Sequence, residues 1–217
     1  MGIKEKQRVN FPKERLLDEA EALFAAKGYH GVSVREITQA AGCNLASINY
    51  HFGNKQNLYL EVFKTRWIPR AMRIREYVRE VIAAHRPPSP AELIEAVAKA
   101  FLGAPLSDEE RRRHQQLMFR ELNRPSEAFE LVAEKVMRPF SKELMEVLRP
   151  CVPGDLSEEQ LLLCILSIFG MVLYFSFAQV AVSRVTGRQY DSGFRSRLIA
   201  HIVQFSLGGL KLTGSGE

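Results

Sequence analysis

Apolar side chains along this chain recur every three or four positions, and no stretch alternates apolar and polar residues over the length of a strand. The spacing of Leu16, Leu17, Ala20, Leu23 and Phe24 predicts a helix from about Pro12 to Lys27, with Pro12 in its first turn and Gly28 as its stop. Ser33-Val-Arg-Glu36 reads as a capping box that starts a short second helix ending near Gly42. Asn44 is placed to cap a third, Leu45 to Phe52, which Gly53 stops. Asn54 caps a fourth that begins at Lys55 and runs through Trp67 towards Ala84, with a bend expected at Pro69.

Arg86-Pro-Pro-Ser-Pro90 marks a break, and helices are expected at about 91–103, 108–123, 126–148, 157–184 and 191–209. Pro105, Pro125, Pro150, Pro153 and Gly187 punctuate the joins. Ser107-Asp-Glu-Glu110 and Ser157-Glu-Glu-Gln160 suit helix starts, where acidic groups meet the positive end of the dipole. The fold class is therefore all-α: a three-helix head, joined by a long helix to a helical-bundle body. The second and third helices of the head form a helix-turn-helix. We divide the chain into a helix-turn-helix head at 1–55 and a helical body at 56–217. Beyond the Gly/Ser tail from Gly214 to Glu217, there is no low-complexity tract.

With 46% hydrophobic residues the chain can bury a core, and its formal net charge is +5. Position matters more than total: Lys4, Lys6, Arg8, Lys13 and Arg15 crowd the start, where a basic arm favours approach to a phosphate backbone. A solvated terminus carries the same charges. Cys43, Cys151 and Cys164 show neither a disulfide framework nor zinc-ligand spacing, which suits a reducing cytosol and implies no metal. No cofactor is expected, and the scattered apolar residues at the start do not resemble a signal peptide.

The uncharged run from Leu161 to Ser183 has the length of a membrane span. Ser167, Gly170, Tyr174, Ala178 and Ala181 give it a small or polar stripe, as in a helix buried in a bundle and at a subunit contact, and it lacks flanking aromatic belts.

Several residues resemble a known family. They run from Leu16 to Phe63 through Phe24, Gly28, Tyr29, Gly31, Ser33 to Ile37, Ala40-Ala-Gly42, Ser47-Ile48, Tyr50-His-Phe52, Lys55, Leu58 and Tyr59. This head is similar to that of the TetR family of transcriptional regulators. The run Phe119-Arg-Glu-Leu-Asn-Arg-Pro-Ser126, with Arg138-Pro139, is similar to the CecR-like branch. The resemblance implies a cytoplasmic, ligand-responsive regulator, in the usual case a repressor. It would bind a palindromic operator as a homodimer and be released by a small, largely apolar effector.

On the recognition helix, Ile48 and Phe52 share a core face. Leu45, Ala46, Ser47, Asn49 and Tyr50 fall on the other, near the N-terminal end that reaches base edges. The Asn49 amide suits adenine, whereas the apolar Leu45 or Ala46 suits a thymine methyl. Ala41 and Ala46 are small enough for a close helix crossing. By resemblance Tyr50, His51 and Lys55 clamp phosphates, while Ser33 and Arg35 lie at the DNA-facing start of the second helix. Asn49 stands where tyrosine is commonest in the family. Tyr50 could instead pack on the first helix, and His51 could be structural. Cys43 fits core packing or, less simply, a redox switch.

For the effector we expect a cavity among the helices at 108–123, 126–148 and 157–184. Met118, Phe119, Arg120, Met137, Phe140, Phe169, Tyr174, Phe177 and Gln179 are the candidate contacts. Arg120 and Glu121 could pair inside the bundle or offer the effector a polar handle. A membrane-anchored regulator using 161–183 is the alternative. An enzyme finds no support, since the five histidines are scattered and there is no nucleophile elbow or Gly-rich phosphate loop.

Overall fold

A computed structural model describes residues 2–84, 88–152 and 156–212, and every regular element among them is helical. The helices are α1 (Gly2–Lys27), α2 (Val34–Ala40), α3 (Ala46–Phe52), α4 (Lys55–Val62), α5 (Ile68–Ala84), α6 (Pro90–Leu102), α7 (Asp108–Asn123), α8 (Glu127–Val132), α9 (Arg138–Leu148), α10 (Glu158–Phe177), α11 (Gln179–Thr186) and α12 (Ser192–Leu212).

The chain packs as two units: residues 1–70 with 112–133, and 71–111 with 134–217. The sequence boundary at 55/56 is not where the packing divides. In the first unit α1 lies against α2, α3 and α4, and α8 lies against α4. Leu16, Leu17, Ala20 and Phe24 of α1, and Ile37, Ile48, Leu58 and Val62 of the helices packed on it, are fully buried. The helical spacing in the sequence leads to this face.

In the second unit α6 is central and contributes two faces. Leu93, Val97 and Ala100 pack with Ile74 and Val78 of α5, Phe140, Leu144 and Leu148 of α9, and Leu161 and Ile165 of α10. Ile94, Ala98 and Leu102 pack with Ile168 and Val172 of α10 and Ile202 and Leu210 of α12. An all-apolar face can be buried on both sides only by a helix with neighbours on both, and α6 has them.

Four boundaries differ from the sequence reading. First, α1 extends back to Gly2, so Pro12 lies inside it. The added stretch is rich in Lys, Glu, Gln and Arg, all good helix formers. The arm side chains of Lys4, Lys6 and Arg8 lie outside the described residues, as do Arg86, Pro87, Pro153 and the tail from Gly214 to Glu217.

Second, next to Pro69, the site of the expected bend, the helix has a π-helical segment, Phe63–Trp67, in which Ile68 N–H reaches the Phe63 carbonyl. Proline brings no N–H to the carbonyl four residues back, Thr65, and Arg66 Nη1 donates to that oxygen at 3.3 Å instead. The same device recurs at Ala133–Met137, two residues before Pro139. It splits the expected 126–148 helix into α8 and α9.

Third, α6 starts at Pro90 under a Ser89–Glu92 capping box. Fourth, the expected 157–184 helix breaks at Ala178. There, side chains take the carbonyls that the next helical N–H groups would use. The Tyr190 hydroxyl donates to Phe175 O, and the Gln179 amide donates to Ser176 O at 3.1 Å.

Candidate nucleic-acid interface

The recognition element is short and held from several sides. Ser33 caps α2, accepting from Glu36 N–H at 3.1 Å. The turn after α2 needs Gly42, whose φ is +60°, and Arg15 Nη2 ties it to α1 by donating to the Gly42 carbonyl at 3.0 Å. Asn44 does the capping expected of it: its Oδ1 accepts from the Ser47 N–H at 3.0 Å and the Ser47 hydroxyl at 2.9 Å. Gly53 ends α3 with φ +80°, and Asn54 caps α4 through the Asn57 N–H at 2.8 Å. Ile48 and Phe52 anchor α3 in the core.

With that face fixed, the other points to solvent. Leu45 is 56% exposed and Tyr50 79%, and Ala46 and Asn49 are exposed as well. Packing of Tyr50 on α1 is thereby overturned. Its ring meets that of the neighbouring His51, centroids 4.9 Å apart. Ala46 does not sit at a helix crossing either, whereas Ala41 is buried. Its exposure follows from its position two residues before Ile48, on the opposite side of the helix. Cys43 is half-buried, its sulfur 3.6 Å from Arg15 Nη2, so it is not a core residue.

Leu45, Ala46, Asn49 and Tyr50 thus form one exposed surface on and beside α3, and Ser47 stands half-buried against its Asn44 cap. His51 is half-buried beside Tyr50 and Phe52. Arg35 is exposed at the start of α2. Lys55 is half-buried at the start of α4, its Nζ 4.3 Å above the centre of the Tyr29 ring, and burial pushes its pKa below the ordinary lysine value. The arrangement offers an asparagine amide and an apolar surface on a helix, flanked by two cations. It carries no paired nucleophile and base.

Behind this surface lie polar groups that the periodic pattern did not reveal. The end of α7 meets the end of α1: Arg120 Nε donates to the Ala25 carbonyl at 3.0 Å and Nη2 to that of Ala26. These are orphan carbonyls of a helix C-terminus, and a guanidinium there also meets the negative end of the dipole. Glu121 is 3% exposed and accepts from the Tyr59 hydroxyl at 2.6 Å and from the Ser126 N–H and hydroxyl at 3.0 and 2.8 Å. Burial and this carboxylate push the Tyr59 phenol up. Arg120 and Glu121 do not pair with each other: Arg120 bonds the Ala25 and Ala26 carbonyls and Glu121 the Tyr59 hydroxyl, in place of a pair inside the bundle. Glu21, 1% exposed on α1, is held by Arg70 and by Arg113 at 3.4 Å.

The nine effector candidates do not gather around one cavity among the described residues. Met118, Phe119 and Arg120 belong to the first unit. Phe140 and Phe169 meet edge to face in the second, centroids 5.8 Å apart. Met137 and Tyr174 are exposed, Phe177 is half-buried, and Gln179 is spent on the Ser176 carbonyl. The apolar void of the second unit, about 20 Å³, is lined instead by α6, α9 and α10 through Leu93, Ile94, Val97, Leu144, Leu148, Ile165, Ile168 and Phe169.

Known proteins share this arrangement. The family model described as "Bacterial regulatory proteins, tetR family" matches residues 16–62, the span of the helix-turn-helix. The one described as "HTH-type transcriptional dual regulator CecR, C-terminal domain" matches residues 90–210. The chain is 26% identical over 182 residues to the transcriptional dual regulator CecR of Shigella flexneri, covering 81% of this chain and 80% of that one. Its head is 40% identical over 48 residues to the transcriptional repressor AcnR of Corynebacterium glutamicum, 22% of this chain and 26% of that one. The structure of the fatty acid degradation regulator FadR from Bacillus halodurans superposes with a TM-score of 0.64 at 20% identity, covering 91% and 95% of the two chains. The exposed recognition helix and its glycine-turned, asparagine-capped frame thus occur in a chain of which 81% aligns with a transcriptional regulator. The chain belongs to the TetR family of transcriptional regulators and carries a DNA-binding N-terminal head.

Proposed function

We propose that the protein is a ligand-responsive repressor that binds a palindromic operator as a homodimer and releases it when a small, largely apolar effector binds the body. It would act in the cytoplasm. The observation that carries this reading is the pair of surfaces each chain leaves open. One is the Leu45–Asn49–Tyr50 surface of the head. The other is the apolar face of α10 and α12, where Leu163, Leu166, Tyr174 and Phe205 are each about half exposed or more. A cleft of about 530 Å³ runs along that face past Ser167, Met171 and Gly209. A second copy would cover it and set two heads on two half-sites. Repression is supported by the likeness of the head to a named repressor.

The effector would enter between α6, α9 and α10. The void there is far smaller than the roughly 300–1,000 Å³ of a ligand pocket, so binding must spread these helices. Spreading them is how an effector would favour a head spacing that no longer matches the operator.

The membrane-anchored alternative fares worse. Helix α10 has the length and apolarity of a span. Yet Leu161, Ile165, Ile168 and Val172 of that helix are built into both cores of α6, and the helix stops at Phe177 within the 161–183 run. Selection of bound duplexes from a random DNA library tests the main reading. An inverted repeat supports it, and a single half-site or no enriched sequence argues against it.

A further inference from the structure

Lys55 follows the Asn54 cap as the first residue of α4, and its ammonium stands over the Tyr29 ring. No carboxylate pairs with it among the described residues, so its N–H groups remain available to an anion. Tyr29 leans on Tyr59, ring centroids 5.2 Å apart and planes at 63°. Tyr59 is 4% exposed and ends the row by donating its hydroxyl to the buried Glu121 of α7. The other oxygen of Glu121 is fixed by Ser126. Every link is therefore oriented by the next, from a backbone-anchored carboxylate to a cation at a helix start.

A free lysine must order a long flexible stem when it meets a phosphate, whereas one already held over a ring has less to lose. The ring brings no formal negative charge, whereas an acidic partner would offset the ammonium's attraction for a phosphate.

We propose that Tyr29 is a positioning residue for DNA binding. Its ring holds the Lys55 ammonium at the head of α4, and the Tyr59–Glu121 bond holds the ring. The inference rests on the reading of Lys55 as a phosphate contact. It makes the end of α7 part of the DNA-contact apparatus, because the carboxylate that orients the row belongs to that helix.

The test uses the full chain and a duplex selected from the random library. With lysine side chains carbon-13 labelled, the Lys55 ε-methylene protons should resonate upfield under the ring current in wild type and in Tyr29→Phe, and return to ordinary positions in Tyr29→Leu. Tyr29→Leu should weaken operator binding about 3- to 10-fold, while Tyr29→Phe stays within about twofold. In a Lys55→Ala background Tyr29→Leu should cost nothing further, since its effect acts through Lys55. Glu121→Gln should shift the same resonance and weaken binding in the same direction. If Tyr29→Leu fails to fold, the wild-type resonance and Glu121→Gln still decide. Unshifted Lys55 protons in wild type, equal effects of Leu and Phe, or additive losses overturn the proposal. If Lys55→Ala weakens binding while Tyr29→Leu does not, the proposal alone fails. If Lys55→Ala is harmless, the phosphate reading fails and the proposal with it.

Discussion

Trp67 and His114 form a locked pair: their rings stack with centroids 4.1 Å apart and planes 11° from parallel, and the indole N–H donates to the His114 carbonyl at 2.9 Å. The imidazole is almost fully enclosed, and its Nδ1 has no hydrogen-bond partner among the described residues. Burial first, and then the Arg70 charge, lower its pKa to about 3.

This predicts a pH dependence with a defined sign. The folded state keeps His114 neutral, while the unfolded chain takes up a proton near pH 6.5. Between pH 6.5 and about 3 the unfolded state therefore binds more protons, and stability falls as the pH drops. The loss approaches about 1.4 kcal/mol per pH unit. Urea unfolding at pH 7 and pH 5 should show a steeper loss for wild type than for His114→Phe, which keeps the stack and does not titrate. Equal losses would mean that His114 takes no part.

Gly28→Ala tests the α1–α7 junction. Gly28 has φ +76°, and an added Cβ would lie 3.0 Å from Arg120 Nη1. The left-handed backbone alone costs about 1–2 kcal/mol for a residue with a side chain. Displacing Arg120 from the Ala25 and Ala26 carbonyls adds to that. Denaturant midpoints of the two proteins measure the cost, and an unchanged midpoint would refute it.

The head was legible in the sequence because its signals are local. Glycines at positive φ, side-chain caps and a repeating apolar face are each set within a few residues, and all reappear. The buried charges were not legible, because their partners are 62 positions apart for Tyr59 and Glu121 and 92 for Glu21 and Arg113. A signal existed: Glu21 sits among Leu17, Ala20 and Phe24 on the face that becomes the core, and a carboxylate there requires a partner. The break at Ala178 was hidden for the same reason, since it depends on Tyr190 reaching back to the Phe175 carbonyl. That break also interrupts the expected small-residue stripe, leaving Ser167 and Gly170 on α10 and Ala181 on α11.

Assembly is tested by Gly170→Arg. A Cβ at Gly170 meets nothing within 4 Å among the described residues, and the position is exposed, so the substitution fits the isolated protomer. Across a helix–helix interface built on small residues it would not fit. Sedimentation should show monomers with unchanged helical circular dichroism and no operator binding. A dimer that still binds the operator would move the interface elsewhere.

The central claim is that the exposed surface on α3 reads base sequence while Lys55 holds the backbone. Titrating the selected operator and a scrambled duplex over a range of salt concentrations measures both parts. Asn49→Ala should cost roughly 1–3 kcal/mol on the operator and little on the scrambled duplex, with the salt slope unchanged. Lys55→Ala should weaken both duplexes alike and flatten the slope by about one unit per protomer. If Asn49→Ala weakens both duplexes equally, or leaves the operator preference intact, α3 is not the reading helix.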